Sequence, residues 1–507
     1  MTLVFRVLSF PPMVSPSYEQ FLENLKHGNL VPVWEEILAD YDTPVSVFRK
    51  IDSPDYSFLF ESVEGGDKWA RYSFLGTEPS VVFRSKGRNI EIMHSGGETE
   101  TLTGDPILAL RDLLSRYRPV SSEELPRFHG GAVGYFGYDM VRFIEDIPDT
   151  SPDELKLWDS IYMVMDTVLA FDNVTSKIKI ISNAYVPDVK NAREEYEKSL
   201  AKIAELKNRL KSSLDERFAN GISQDVGEEE FSLESNFEPA HFKDAVLRTK
   251  EYIKSGDIIQ AVISQRWKTD LRVDPFDLYR ALRILNPSPY MFFLRMGDEI
   301  LTGSSPEVMV RVEGKRIASR PIAGTRPRGK TVSEDEGLAA ELIADPKERA
   351  EHIMLVDLAR NDLGRVSDMG SVRVDEFMIV ERYSHVMHIV SNVTALLAEG
   401  SDAFDVIKAT FPAGTLSGAP KVRAMEIIEE TEPATRGAYG GCVCYFSFSG
   451  NMDSCITIRT FVIKDGKIYI QAGAGIVADS NPETEYQETV NKVKALVKSV
   501  ELAEEGL

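Results

Sequence analysis

The segment 345–365 restricts the possible folds of this 507-residue chain more than any other stretch, and its sequence is DPKERAEHIMLVDLARNDLGR. Asp345 suits a helix N-cap, Pro346 suits the first helical turn, and Glu348 completes the spacing of a capping box. Gly364 provides a stop signal. Because residues 353–356 are apolar around nearly the whole helical circumference, the pattern predicts a helix enclosed by protein.

Glu351 is expected to point from this helix toward the protein interior. It shares a stripe with Leu355 and Leu358, at positions i+4 and i+7. A buried carboxylate is costly unless it is paired, hydrogen-bonded or bound to a metal. Two interpretations therefore stay open at this point, a salt bridge to an arginine and a metal ligand.

The composition is strongly acidic, with a formal net charge of −22 and a pI near 4.9. This balance argues against nucleic acid or an anionic membrane surface as the main partner, so an anionic ligand would need positive charge supplied by its own site. Cys442, Cys444 and Cys455 fit no usual zinc spacing and are interpreted as reduced core thiols. No apolar run approaches the roughly 20 residues of a membrane span, and the N-terminus is a poor signal peptide. The sequence predicts a soluble, cytoplasmic protein.

The apolar pattern predicts a mixed fold with two main parts. Residues 17–40 suggest two helices, and segments such as VSVFRKI at 45–51 alternate like strands. The acidic segment 216–238 is the best candidate for a linker. It separates an N-terminal part, 1–215, from a second part, 239–507.

A second group of carboxylates occurs near the C-terminus. The strand QAGAGIV at 471–477 has glycines where side chains would obstruct a ligand, and a predicted helix follows it. On that helix Glu485, Glu488 and Lys492 share one face, at i, i+3 and i+7. Together with Glu351 the two carboxylates could hold a divalent cation, and oxygen ligands suit Mg²⁺. The alternative is a solvated acidic helix face.

Three further polar features are candidates for a site. Gln260 interrupts an apolar strand, so it is either satisfied by structural hydrogen bonds or turned into a polar site. Glu307 places a lone carboxylate at a tight turn. The segment FPAGTLSGAPK at 411–421 precedes a helix and is compatible with an anion site at the helix N-terminus or with a simple connection.

Seven motifs occur in unbroken order along the chain: RPIAGTRPRG (320–329), KERAEHIMLVDLARNDLGRV (347–366), YSHVMH (383–388), GTLSGAPK (414–421), YGG (439–441), QAGAGIV (471–477) and EYQETVNK (485–492). Together they resemble the motifs of the chorismate-utilising enzymes, and within that family those of the large subunits (component I) of anthranilate synthases. The resemblance covers essentially the whole chain and is strongest in its second half.

The resemblance implies an α+β fold in which two large, mainly antiparallel sheets pack as a sandwich with helices on the outside. It implies that Glu351 and Glu488 bind Mg²⁺, with Glu485 close by, and that the metal holds the ring carboxylate of chorismate. Arg459 would pair with the enolpyruvyl carboxylate. The residues implied to line the chorismate site are Gly324, Thr325, Tyr439, Arg459, Gly473, Ala474, Gly475 and Lys492.

The resemblance also distinguishes between reactions at two positions. Relatives that add water have a lysine base where this chain has Gln260, and relatives that make aminodeoxychorismate can have a lysine where it has Ala323. The chain is therefore expected to use ammonia as an external nucleophile at C2 of chorismate, with Gln260 kept as a candidate catalytic residue. Glu307 would be the general acid for loss of the C4 hydroxyl. His388 would handle protons in the elimination of pyruvate that gives anthranilate.

Three other functions stay open from the sequence. The first is component I of aminodeoxychorismate synthase, the second is an enzyme that stops at aminodeoxyisochorismate, and the third is a catalytically silent tryptophan-binding subunit. Identification of the reaction product discriminates between the enzymes, and retention of the catalytic groups argues against the silent subunit.

The resemblance further implies a partner and an inhibitor. No glutaminase domain is recognisable in the sequence, so a separate glutamine amidotransferase subunit is expected to supply ammonia within a hetero-oligomer, specifically a heterotetramer. Feedback inhibition by tryptophan is expected. The local sequence LFES at 59–62 departs from the LLES form of the family, which leaves the strength of inhibition open. The implied inhibitor contacts are Glu61, Ser62, Pro289, Tyr290 and Met291.

Overall fold

The computed structural model describes residues 14–62, 71–213, 232–383 and 386–507. In these residues the chain forms two 12-stranded sheets with antiparallel strand pairing, and helices pack against them. The predicted α+β fold of two large antiparallel sheets is confirmed. Most of the predicted linker, 216–238, lies outside the described residues.

The helices are α1 (Tyr18–Asn24), α2 (Pro44–Ile51), α3 (Pro106–Ser115), α4 (Ala192–Leu210), α5 (Pro239–Ser255), α6 (Pro275–Leu285), α7 (Val332–Ala344), α8 (Pro346–Gly364), α9 (Ala403–Thr410), α10 (Lys421–Thr431) and α11 (Pro482–Glu505), with 3₁₀ turns at Tyr138–Phe143, Val189–Asn191 and Gly414–Leu416.

The strands are β1 (Leu30–Leu38), β2 (Tyr56–Glu61), β3 (Tyr72–Thr77), β4 (Val81–Lys86), β5 (Asn89–His94), β6 (Thr99–Thr103), β7 (Gly131–Phe136), β8 (Ser160–Met165), β9 (Thr167–Asp172), β10 (Lys177–Tyr185), β11 (Glu234–Ser235), β12 (Gln260–Asp270), β13 (Tyr290–Met296), β14 (Glu299–Ser305), β15 (Val308–Glu313), β16 (Arg316–Ser319), β17 (Ile322–Pro327), β18 (Arg373–Arg382), β19 (Val386–Leu396), β20 (Gly418–Ala419), β21 (Cys442–Ser447), β22 (Met452–Ile456), β23 (Thr460–Lys464) and β24 (Lys467–Ile476).

Each sheet contains strands from both sides of the predicted linker. The first sheet has the order β1-β10-β9-β3-β2-β13-β14-β23-β24-β12-β11, with β20 also paired to β12. The second has the order β17-β19-β16-β15-β22-β21-β7-β8-β4-β5-β6, with β18 also paired to β19. The division into an N-terminal part and a catalytic part stays a prediction, and both sheets run across it.

Three apolar layers hold the two sheets and the helices together. An aromatic layer that includes Phe74, Phe128 and Tyr445 lies between the sheets. Helices α4, α6 and α11 bury one face each against the first sheet, and α3, α8 and α9 do the same against the second. Among the described residues, no helix combines the length and apolarity that a membrane crossing requires.

Two local predictions from the sequence are wrong. The segment expected as a strand at 45–51 is helix α2, because Thr43 and Ser46 form a reciprocal capping box and Pro44 occupies the first turn. The second helix expected within 17–40 is strand β1, which pairs along its whole length with β10. Pairing with a distant strand overrides the weak local helix signal in this segment.

Helix α8 forms at the predicted position but is less enclosed than expected. The Asp345 side chain accepts hydrogen bonds from the backbone amides of Lys347 and Glu348, at 2.9 and 3.3 Å, so the predicted cap is present. The apolar residue Ile353 is 42% exposed. Full enclosure is therefore wrong, and the helix has one inner face, formed by His352, Leu355, Val356, Ala359, Asp362 and Leu363.

Candidate active site

A cavity of about 280 Å³ opens where strands of both sheets meet helices α8 and α11. Strands β12 and β24 come from the first sheet, and β17 and β19 come from the second. Eleven residues predicted from the sequence line this cavity: Gln260, Glu307, Thr325, Glu351, His388, Tyr439, Arg459, Gly473, Gly475, Glu488 and Lys492.

Three other predicted residues do not line the cavity. Gly324 acts through its backbone, since its carbonyl oxygen lies 2.9 Å from Nδ1 of His388. Ala474 alternates to the opposite face of β24 and packs in a core with Phe242. Glu485 is buried one turn before Glu488, where burial raises the pKa of its carboxyl group and a hydrogen bond with Ser480 opposes that shift.

Glu307 lies in the turn between β14 and β15 and is 9% exposed. The turn is held by a hydrogen bond of 3.0 Å from the amide of Ile456 to the carbonyl of Glu307. Burial raises the pKa of Glu307 to about 7, and Thr415, Arg459 and Lys492 act in the opposite direction. A carboxyl group with this pKa is partly protonated near neutral pH and can act as a general acid.

His388 is held in one orientation on β19. Its Nδ1 atom lies 2.9 Å from the carbonyl oxygen of Gly324 and 3.1 Å from Oγ1 of Thr325. Because a carbonyl oxygen only accepts, we assign the proton to Nδ1, which leaves Nε2 as the unprotonated nitrogen. Burial lowers the pKa of His388, the carbonyl of Gly324 raises it and Arg459 lowers it. The neutral ring can therefore accept a proton at neutral pH.

Two cations face the cavity. The Arg459 side chain is surrounded by protein yet accessible to water inside the cavity, and its guanidinium makes no hydrogen bond or ion pair with another described residue. Its backbone has φ = 49°, a left-handed conformation that is uncommon for arginine. Lys492 donates to the carbonyl of Gly473 at 2.8 Å and pairs with Glu488 at 2.8 Å. The site thus supplies the local positive charge that an acidic protein needs to bind an anion.

Besides Glu307, two carboxylates line the cavity, those of Glu351 and Glu488. Burial raises the pKa of Glu351, and the carboxylates of Glu348 and Glu488 raise it further. The described residues contain no cluster of three or more His, Cys, Asp or Glu side chains that could hold a metal ion by itself. Two carboxylates nevertheless fit Mg²⁺, which usually keeps several waters and takes further oxygens from its ligand.

Strand β24 contributes two glycines whose missing side chains shape the cavity. A Cβ atom on Gly475 would lie 2.5 Å from Nε2 of Gln260, and one on Gly473 would lie 2.9 Å from the Tyr439 hydroxyl. Both contacts are closer than ordinary van der Waals distances. Glycine at these positions therefore lets Gln260 and Tyr439 reach the cavity.

Gln260 is 5% exposed and lines the cavity, and its side-chain oxygen is a hydrogen-bond acceptor without a donor in the described part of the chain. Its Oε1 atom is buried and has no hydrogen-bond partner among the described residues. Such an atom is costly unless a ligand or water completes it. Ala323 also lines the cavity, so neither position provides a lysine.

Several cavity residues were not predicted as site residues from the sequence. Gln471 donates to Ser264 at 2.9 Å, and Leu355 and Leu496 form apolar walls. Thr415 and Leu416 come from the segment 411–421, whose small residues were the available signal. One reason for those small residues is the close approach of Gly418, where a Cβ atom would lie 2.1 Å from the Gln260 carbonyl.

A second, smaller cavity of about 70 Å³ lies between the two sheets. Within it the Tyr290 hydroxyl donates to Asp453 at 2.9 Å, and Arg311 pairs with Asp453 at 2.7 Å. The Glu61 carboxylate accepts from Arg283 at 3.1 Å. The five residues predicted to contact tryptophan all line this cavity: Glu61, Ser62, Pro289, Tyr290 and Met291.

Comparison with known proteins identifies similar chains over nearly the whole length. The family model described as chorismate binding enzyme matches residues 62–498. Anthranilate synthase component 1 of Aquifex aeolicus is 49% identical over 492 residues, which cover 97% of this chain and 98% of that relative. The protein of the same name from Acetivibrio thermocellus is 46% identical over 497 residues, which cover 97% of this chain and 100% of the relative.

A solved structure supports the same comparison. The crystal structure of anthranilate synthase component I from Streptococcus pneumoniae superposes with a TM-score of 0.75 and 36% sequence identity. The match covers 91% of this chain and 98% of that structure.

Proposed function

We propose that this chain is the chorismate-aminating component of an anthranilate synthase. The chain belongs to the family of chorismate-binding enzymes, and this membership is the basis of the proposal. In this proposal it converts chorismate and ammonia into anthranilate and pyruvate. One observation carries the proposal. Glu307, with its raised pKa, and the guanidinium of Arg459, which is available for a carboxylate, line the same cavity. The names of the full-length relatives support this reaction over that of an aminodeoxychorismate synthase.

The nucleophile in the proposed reaction is ammonia rather than a side chain. Gln260 and Ala323 line the cavity where a lysine would otherwise be available as base or nucleophile. The unsatisfied Oε1 of Gln260 is an acceptor that can bind an N–H of ammonia and hold it near the substrate. The lone pair of ammonia then attacks C2 of chorismate.

Proton transfers in the proposed reaction are divided between two residues. Glu307, which is partly protonated near pH 7, donates a proton to the C4 hydroxyl, so that the C–O bond breaks and water leaves. The neutral His388, with Nε2 as its acceptor, takes up a proton in the elimination that releases pyruvate. The ring becomes aromatic in this second step.

Substrate binding is proposed to use both signs of charge. Arg459 would bind the enolpyruvyl carboxylate through charge-assisted hydrogen bonds. Glu351 and Glu488 would hold Mg²⁺, with Glu485 supporting them from one turn away. When bound, the metal supplies positive charge to the ring carboxylate of chorismate.

The ammonia is proposed to come from a separate glutamine amidotransferase subunit in a hetero-oligomer. The term component 1 in the names of the relatives supports a partner subunit. The cavity between the sheets is proposed to bind tryptophan as a feedback inhibitor, since its walls combine aromatic side chains with paired charges. Its present volume is below that of usual ligand pockets, so an indole would require side chains to move apart.

The proposal is tested with purified chain, chorismate, ammonium chloride and MgCl₂. We expect anthranilate, identified by fluorescence and mass, together with one equivalent of pyruvate. Glu351→Gln and Glu488→Gln should each abolish most of the turnover and weaken its dependence on Mg²⁺. The exposed Glu205→Gln, on helix α4, is the control and should behave like wild type.

Two results would contradict parts of this proposal. A product with the amino group at C4, or an unaromatised amine without pyruvate, would exclude anthranilate synthesis. Full activity and full Mg²⁺ dependence in both Glu→Gln variants would remove these carboxylates from the metal site.

A further inference from the structure

A third cavity, of about 40 Å³, lies directly behind Glu307 and is called the annex below. It shares Glu307, Leu355 and Thr415 with the active-site cavity. Its volume has room for about two water molecules. The polar side chains that line it are Ser319, Glu307, Asp362, Thr410 and Thr415.

Helix α8 connects the active site to the annex along one face. Glu351 and Leu355 line the active-site cavity, and Leu355, Leu358 and Asp362 line the annex. These positions are three or four residues apart, so their side chains are stacked on the same side of the helix. This side of α8 therefore begins at Glu351 in the active-site cavity and ends at Asp362, a carboxylate that the reaction described above does not use.

Asp362 is 8% exposed and is held by Lys421 at the start of helix α10. Nζ of Lys421 lies 2.8 Å from Oδ2 of Asp362 and also donates to the carbonyl of Thr410 at 3.3 Å. Burial raises the pKa of Asp362, and Lys421 opposes this shift. The Lys421 side chain is 14% exposed, so the ion pair joins the annex to the protein surface.

Thr415 separates the annex from the active-site cavity. Its Oγ1 atom is buried and makes no hydrogen bond of ordinary geometry with the described residues, although it lies close enough to Glu307 to lower the pKa of that carboxyl. A buried hydroxyl without a partner is costly, and water in the annex would satisfy it. The hydroxyl is thus placed to pass a hydrogen bond between such water and Glu307.

The proposed function creates a need for this arrangement. When Glu307 protonates the departing C4 hydroxyl, the C–O bond breaks, water forms and Glu307 is left as a carboxylate. The amino group formed from ammonia releases one proton, so the overall step consumes none. Glu307 must regain a proton before the next turnover, while substrate or product fills the cavity in front of it.

We propose that the annex is a hydrated proton path, in which Asp362 and the hydroxyl of Thr415 return a proton through water to Glu307. The proton enters at Asp362, which Lys421 only holds in place, and moves along hydrogen bonds to the carboxylate of Glu307. Asp362 is a relay residue that lines the annex only, and Thr415, which lines both cavities, passes the hydrogen bond between them. The charged groups that face Glu307 from the other side are Arg459 and Lys492. This inference rests on the role proposed for Glu307.

The test uses the full chain with chorismate, ammonium chloride and MgCl₂, and compares wild type with Asp362→Asn and Thr415→Val. Both variants keep the shape of the side chain. We expect kcat to fall about tenfold in each, because one proton-transfer step of general acid catalysis is slowed. The KM for chorismate should change less than about twofold, and the ratio of kcat in H₂O to that in D₂O should increase. Thr415→Ser should restore the wild-type values.

The variant Lys421→Gln distinguishes the proton path from a purely structural effect of Asp362→Asn. It breaks the same ion pair but keeps the carboxyl group of Asp362. The proton path is overturned if Lys421→Gln reproduces both the kcat and the isotope effect of Asp362→Asn. It is also overturned if Thr415→Val keeps the wild-type kcat and isotope effect, and this variant decides the matter if Asp362→Asn does not fold. Full activity of Glu307→Gln would instead contradict the proposed function.

Discussion

Glu307 illustrates how a single residue can be unfavourable for folding and useful for chemistry. It is buried in a tight turn, and burial raises its pKa from an ordinary value of 4.5 to about 7. Among the described residues neither Arg459 nor Lys492 forms an ion pair with it, and Lys492 pairs with Glu488 instead. The raised pKa of the proposed general acid therefore comes from burial without a close cation.

The first prediction concerns the stability of Glu307→Gln. The folded state binds the Glu307 proton more tightly than the unfolded state, so the wild-type free energy of unfolding falls as the pH rises from 4.5 to about 7. The variant has no carboxyl group at this position, so its free energy of unfolding does not fall for this reason. Its stability relative to wild type should increase by about 3 kcal/mol between pH 4.5 and pH 8, while its activity is lost.

Urea unfolding at pH 4.5 and pH 8 measures this difference. Glu205→Gln, on the exposed face of α4, should show no such change with pH. A stability difference between Glu307→Gln and wild type that is the same at both pH values would mean that Glu307 is not a raised-pKa acid.

The second prediction concerns Arg459, whose guanidinium is available for a ligand. Arg459→Gln should raise the KM for chorismate about tenfold or more, because a charge-assisted hydrogen bond to a carboxylate contributes about 1.5–3 kcal/mol. Arg360→Gln changes an arginine that is paired with Asp357 on the outer face of α8 and should leave the KM unchanged. Steady-state kinetics with varied chorismate would measure both, and an unaltered KM in Arg459→Gln would exclude it from substrate binding.

At the scale of secondary-structure elements, glycines in two strands have different structural roles. Gly134 in β7 faces the carbonyl of Ile161 in the paired strand β8, where a Cβ atom would lie only 1.9 Å away. Gly475 in β24 faces only the end of the Gln260 side chain. The absence of a side chain at Gly134 allows β7 and β8 to pair closely. The absence of one at Gly475 leaves room for Gln260 in the candidate active site.

The third prediction compares alanine at these two positions. Gly134→Ala should lower the free energy of unfolding by about 1–3 kcal/mol, because two backbones must move apart. Gly475→Ala should leave stability nearly unchanged and lower kcat, because Gln260 must rotate away. Thermal unfolding and ammonia-dependent kinetics measure the two effects. A loss of stability in Gly475→Ala equal to that in Gly134→Ala would contradict the distinction.

At the scale of the whole molecule, the active-site cavity and the cavity between the sheets are linked by short contacts. Tyr290 lines the inter-sheet cavity and is the register partner of Ser305, two residues before Glu307. Cys455 lines the same cavity, and the next residue, Ile456, donates its amide to the carbonyl of Glu307 at 3.0 Å. A ligand that separates the sheets at this cavity would therefore move the turn that holds the acid.

The fourth prediction concerns tryptophan. Titration of the ammonia-dependent activity with tryptophan should inhibit wild type, and Ser62→Phe should require about tenfold more tryptophan or more, because the larger side chain fills part of the small cavity. Ser62→Ala is the milder control and should shift the curve less. Identical inhibition curves for wild type and Ser62→Phe would remove Ser62 from the pocket.

Part of the candidate site could be predicted from residue type and local spacing, and the rest was implied by the resemblance to the family. Asp345 and Pro346 mark the start of α8, and the spacing from Glu351 to Leu355 and Leu358 sets the inward direction of the carboxylate. The alternation along β24 similarly places Gly473 and Gly475 on one face. The two prominent local errors, at α2 and β1, occur where patterns of a few residues are compatible with both helix and strand.

The sequence by itself determined the acidic composition, the inward carboxylate of α8, the glycines of β24 and the motifs of a chorismate-binding enzyme. Only the tertiary structure decided which of these residues meet. Pairing of β12 with β24 brings Gln260 beside Gly475, and the packing of α11 puts Glu488 in the cavity while Glu485 stays outside it. The pKa of Glu307 and the annex that joins it to Asp362 also arise there. The physical reason is that burial and charge separation depend on contacts between distant segments, which local periodicity does not encode.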